Sequence, residues 1–97
     1  MKKSINWNEE KNNLLKKERN IGFEIIADKI SNGDIIDDIF HPNSIKYSNQ
    51  RIFVIEVDTY IYLVPYVETI DAIFLKTIYP SRKFTKLYFG ELTNEKH

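Results

Sequence analysis

Two runs rich in β-branched and aromatic residues, Gln50–Val57 and Tyr60–Val67, are separated only by Asp58 and Thr59. Such runs favour strands, and a two-residue connection between them reads as a hairpin turn. Pro65 lies inside the second run. It cannot donate to a ladder, so it marks an edge, a bulge or the strand's end. Glu68–Asp71 turns the chain again, and Ala72–Tyr79 reads as a third strand. Pro80 and Ser81 then open a short helix or an irregular tail reaching about Tyr88.

The N-terminal half has a different period. Ser4–Trp7 reads as a short strand or extended lead-in, and Asn8 offers an N-cap to a helix over about Glu9–Glu18. Glu9 and Glu10 at its start and Lys16 and Lys17 at its end suit the helix macrodipole. Phe23, Ile26, Ala27 and Ile30 follow at i, i+3, i+4 and i+7, a helix with one buried stripe, stopped by Gly33. Asp34–Phe40 is a short strand or a loop against the core, and His41-Pro42-Asn43-Ser44 is a turn cluster. The fold class expected is α+β: two N-terminal helices packed on an antiparallel β-meander with a short C-terminal helix, the helices covering one face of the sheet.

The 97 residues suit one domain, 1–97, and a 42% hydrophobic content is outside the disordered range. Apolar stretches such as Tyr60–Val64 are far shorter than the roughly 20 residues of a membrane span. The mixed stretch Ser4-Ile5-Asn6-Trp7-Asn8-Glu9-Glu10 follows Met1-Lys2-Lys3 where a signal peptide needs an apolar run, so a cytoplasmic protein is expected. There is no cysteine, which excludes a disulfide framework, thiolate metal ligands and a cysteine nucleophile.

The formal net charge is zero, yet the charge is segregated. Residues 11–19 carry Lys11, Lys16, Lys17 and Arg19 against Glu18, and residues 76–88 carry Lys76, Arg82, Lys83 and Lys86 with no acid. Residues 24–38 hold five acids against Lys29, and residues 56–71 hold four acids unopposed. His41 is the only internal histidine and hence a candidate proton shuttle at neutral pH, or simply a turn residue before Pro42. Asp37 and Asp38 are adjacent on an extended segment and point to opposite faces, so they form no dyad. No metal-ligand spacing, glycine-rich phosphate loop or nucleophile elbow is present. Arg82 and Lys83 follow a strand and a rigid turn, where a guanidinium fork and an ammonium suit phosphate oxygens. Tyr79, Phe84 and Tyr88 interleave with them. They either stack on unpaired bases or belong to the core while the cations face solvent.

Several stretches in order resemble the BrnT-like toxins of bacterial toxin–antitoxin pairs, a branch of the RelE-fold ribonucleases. They are Asn6-Trp7-Asn8-Glu9-Glu10-Lys11-Asn12, Leu15-Lys16-Lys17-Glu18-Arg19, Gly22-Phe23-Glu24, His41-Pro42-Asn43, Tyr47-Ser48-Asn49-Gln50, Tyr62-Leu63-Val64-Pro65 and a closing segment through Pro80-Ser81-Arg82-Lys83. The resemblance implies a RelE/BrnT-like fold and a metal-independent, cofactor-free endoribonuclease that inhibits translation. It also implies a cognate antitoxin with a DNA-binding domain, and leaves monomer or homo-oligomer open. Many members carry histidine where Arg19 stands. On this reading Arg82 and Lys83 stabilise the transition-state charge. Lys11, Lys17 and Arg19 hold the RNA backbone, Lys76 and Lys86 line the groove, and His41 or Tyr47 carries the proton. The alternative is a noncatalytic protein-interaction domain that uses its acidic stretches and a sheet edge near Pro65.

Overall fold

A computed structural model describes residues 3–43, 45, 46 and 49–94. Tyr47 and His97 lie outside the described residues. The chain runs β1 (Ser4–Trp7), α1 (Glu9–Arg19), α2 (Phe23–Ser31), β2 (Asp37–Phe40), β3 (Gln50–Val57), β4 (Tyr60–Glu68), β5 (Ala72–Leu75), β6 (Tyr79–Pro80) and α3 (Arg82–Asn94). The fold is mixed α+β, with three helices and a six-stranded sheet among the described residues. No described helix is long and apolar enough to cross a membrane.

The β3–β4 hairpin forms as its sequence requires. Asp58 and Thr59 both adopt positive φ, 54° and 63°, the backbone that lets a two-residue turn match strand twist. Val57 faces Tyr60, and the register continues to Gln50 opposite Val67. β2 flanks β3 antiparallel, and β5 flanks β4 antiparallel. β1 completes the order β1-β5-β4-β3-β2 by pairing parallel to β5, so the sheet is more than a meander.

Pro65 sits in an interior strand, opposite Ile52, rather than near an edge. Its carbonyl accepts from Lys76 N at 2.8 Å. In a ladder a residue turns its N–H and C=O to the same neighbour, so the missing proline donor faces this strand too. There the expected third strand divides into β5 and β6. Leu63–Tyr66 on β4 lies opposite Leu75–Tyr79, one residue longer, which is a bulge.

Side-chain alternation gives the sheet two cores. Phe53, Ile55, Val57, Val64 and Tyr66 meet Leu15, Ile21, Phe23 and Ile26 from α1 and α2. Ile52, Val54, Ile61 and Leu63 meet Phe84 and Phe89 of α3 on the other side. The helices therefore cover both faces, not one, because residues one step apart on a strand point oppositely. α3 also continues to Asn94, beyond the expected end near Tyr88.

The α1–α2 junction depends on Asn12, which is fully buried. Gly22 precedes α2 and can supply no side-chain cap. Asn12 Oδ1 instead accepts from Phe23 N at 2.7 Å, and its Nδ2 donates to Glu24 Oε2 at 2.9 Å. Lys16 Nζ donates to the same carboxylate oxygen. A Cβ at position 22 would come within 2.6 Å of Lys16 Cε, 2.7 Å of Glu24 Oε1 and 3.1 Å of Asn12 Oδ1, so a larger residue here has to displace the ends of the paired Lys16 and Glu24 side chains. The Asn12→Ala variant strands the Phe23 N–H. Urea denaturation should show a loss of about 1–3 kcal/mol with an unchanged m-value.

Candidate functional site

α3 grows directly out of the sheet. Ser81 N donates to Ile61 O at 2.9 Å, and Ile61 N donates to Thr85 Oγ1 at 2.9 Å. The Thr85 hydroxyl in turn donates to Ser81 O at 2.7 Å. Ser81 caps the helix, its Oγ accepting from Phe84 N at 3.1 Å. These bonds fix the first turn against β4. With Phe84 and Phe89 turned to the core, Arg82, Lys83 and Lys86 are exposed and line one groove with Leu87.

This placement is electrostatically adverse in the isolated chain. The first turn of α3 holds no acid, and cations at a helix N-terminus oppose the macrodipole, as does the like-charge pair Arg82 and Lys86 at i, i+4. Among the described residues none of the three cations makes an ion pair or a side-chain hydrogen bond. Three of the nine acids in the acidic stretches are paired among the described residues: Glu24 with Lys16, Asp38 with Arg51 and Glu68 with Lys3.

The aromatic residues of this segment divide between the two readings. Tyr79 and Phe84 pack on the second core. Tyr88 remains exposed, its ring centroid 6.3 Å from that of Phe84.

The first basic segment lies on α1. Lys11 and Lys76 line a shared depression with Asn8, Glu10, Leu14 and Phe74. Arg19, at the end of α1, donates from Nη1 to Ile78 O and holds the segment between β5 and β6. Lys17 is exposed on the last turn of α1. α1 and α3 anchor to opposite faces of the sheet through Leu15 and Phe84 respectively, so residues 11–19 meet the start of the 76–88 segment and not its helical part. His41 is half-buried, and its Nδ1 accepts from Asn43 N at 3.0 Å in the turn before β3.

A polar cluster absent from the sequence reading lies where β2, β3 and β4 meet. The Tyr66 hydroxyl donates to Asp38, 2.8 Å from each carboxylate oxygen. Arg51 Nε donates to Asp38 Oδ1 at 3.2 Å, and its guanidinium lies over the Phe40 ring. Phe53 stacks on Tyr66 with centroids 3.9 Å apart. Burial, then the bond to Asp38, pushes the Tyr66 phenol above its ordinary value of 10.0. Lys16 beside Glu24 holds that carboxyl below its ordinary 4.5. Asp37, on the neighbouring position, accepts from the Asp38 backbone instead, so the two acids form no dyad.

Among the described residues no group of three or more His, Asp or Glu side chains is arranged to hold a metal. Comparison with protein-family models, with curated proteins and with solved structures gives no match to this chain.

The Tyr66 site gives a pH signature. A phenol whose folded value is raised contributes stability that is complete below the unfolded value near pH 10 and falls as pH rises past it. The urea midpoint of the wild type should therefore drop more between pH 8 and pH 10.5 than that of Tyr66→Phe.

Proposed function

We propose that the chain is the toxin of a type II toxin–antitoxin pair, a metal-independent ribonuclease of RelE/BrnT-like fold that inhibits translation. The observation that carries this reading is the exposed, unpaired Arg82–Lys83–Lys86 group on a helix whose dipole opposes it. A phosphodiester backbone supplies the counter-charge that the described chain does not. In the proposed reaction a ribose 2′-oxygen bonds to the adjacent phosphorus as the P–O5′ bond breaks. A base takes the 2′ proton and an acid returns one to O5′. Arg82 and Lys83 neutralise the charge gathering on the phosphoryl oxygens. Lys11, Lys17 and Arg19 bind the RNA backbone, with Arg19 also engaged at Ile78, while Lys76 and Lys86 border the path. Tyr47 and His41 are the candidates for proton transfer. The cognate antitoxin, bearing a DNA-binding domain, would cover the same cations with acidic or aromatic groups.

A second reading draws on the edges of the sheet. β2 is an outer strand, and Phe40 on it is 71% exposed, a surface suited to a noncatalytic protein-interaction domain.

Induced expression in a bacterial host tests the first reading. The wild type should arrest growth and fragment RNA, and Arg82→Ala with Lys83→Ala should lower purified cleavage by about 10²–10³-fold and restore growth. A folded double variant that stays fully toxic would remove the assignment.

His41→Gln should cleave RNA within about threefold of wild type and lose about 1 kcal/mol of stability, because the Nδ1 bond is to a turn amide. A loss of about 10²-fold together with loss of the wild type's pH dependence would make His41 the proton carrier instead. A pH–rate profile of both proteins reads this out.

A further inference from the structure

Phe74 is a strand aromatic that belongs to neither core. Strand alternation places it on the α3 side of the sheet, in register with Asn6 and Val67. α3 covers Ile52, Val54, Ile61 and Leu63 there and stops short of it. Phe74 is left 38% exposed, at the wall of an open depression of about 570 Å³ whose other side is α1. Lys76 Nζ stands 5.5 Å from the ring centroid, and Lys11 lines the same depression. Neither lysine has an ion-pair partner among the described residues. Glu10 is the one acid lining it.

We infer that this depression is a nucleotide subsite for single-stranded RNA, with an unpaired base stacked on Phe74 and its phosphates held by Lys11 and Lys76. The inference rests on the RNA-directed reading above and specifies the form of RNA taken. Stacking on the exposed Phe74 ring needs a base face that is not already covered by its neighbours in a duplex. Two cations beside the ring supply the contacts a backbone needs, and cation-and-aromatic surfaces of this kind bind single strands. The Glu10 carboxylate can only accept hydrogen bonds, which favours bases with an exocyclic amino group, namely guanine, cytosine and adenine, over uracil, whose base offers only its N3–H. The ladder break at Pro65 puts the subsite in its position, since Lys76 is the residue at which the chain leaves β5.

Fluorescence anisotropy with a labelled, unstructured RNA of ten nucleotides tests this on the full chain. Phe74→Ala and Phe74→Leu should each weaken binding about tenfold or more, while Phe74→Tyr stays near wild type. Phe74→Leu keeps the apolar contacts and serves as the variant whose thermal unfolding matches the wild type. Lys11→Met with Lys76→Met should lower the salt slope by about 1.4. A duplex of the same length should be insensitive to Phe74. Unchanged single-strand affinity in Phe74→Leu, alongside a loss in Arg82→Ala with Lys83→Ala, would overturn the subsite and leave the RNA reading standing. Failure of the wild type to bind any RNA would overturn both.

Discussion

A single missing hydrogen-bond donor organises the C-terminal half of this molecule. Pro65 occupies an interior strand, at a position where an ordinary residue would both accept from and donate to the strand on its β5 side. It accepts one bond from Lys76 and can return none. The neighbouring strand therefore ends at Leu75, bulges, and resumes for only two residues at Tyr79 and Pro80. Ile61 then takes Ser81 and Thr85 of the α3 start as its partners in place of another strand. The position of Lys76 and the point at which Arg82 and Lys83 emerge both follow from that break. Arg19 secures the intervening segment from the other side through Ile78.

The N-terminal helices supply a rigid support of a different kind. Asn12 caps α2 from α1 and shares Glu24 with Lys16, so helix spacing, helix capping and one ion pair are coupled. The Glu24 carboxyl is held in its ionised form by Lys16, and that contribution is present above about pH 4.5 and fades as pH falls below it. The pairing is exposed, so its energetic weight is small. Three acids, Glu24, Asp38 and Glu68, are paired within the chain, while the cations of α3 and the Lys11–Lys76 depression have no ion-pair partner among the described residues. A protein with zero formal net charge can in this way still carry local groups of unpaired cations.

Much of the architecture was legible because it is local. The β3–β4 hairpin follows from two apolar runs and a two-residue link, and α2 follows from its 3.6-residue period and Gly33 at φ 76°. The parallel β1–β5 pairing was not legible, since it joins residues 4–7 to 72–75 and leaves no short-range pattern. The division of the third strand escaped notice for a related reason: its apolar pattern is continuous, and the cause lies on β4. Asn12 resembles any polar residue of a surface helix until the start of α2 arrives over it. At the site, the cation cluster of residues 76–88 could be read from composition. Phe74 looked like an ordinary strand residue, and the Asp38–Arg51–Tyr66 cluster needed the register of three strands to come together.

The central claim is that RNA meets the surface formed by the β5–α3 segment and α1. Hydrogen–deuterium exchange, followed by mass spectrometry with and without an unstructured RNA, maps this without any substitution. The account predicts slowed exchange in residues 74–88 and 8–14, with β2 and the start of β3 unchanged. Protection confined to β2 and the neighbouring part of β3, around Phe40 and Arg51, would contradict it and place the binding surface on the opposite edge of the sheet.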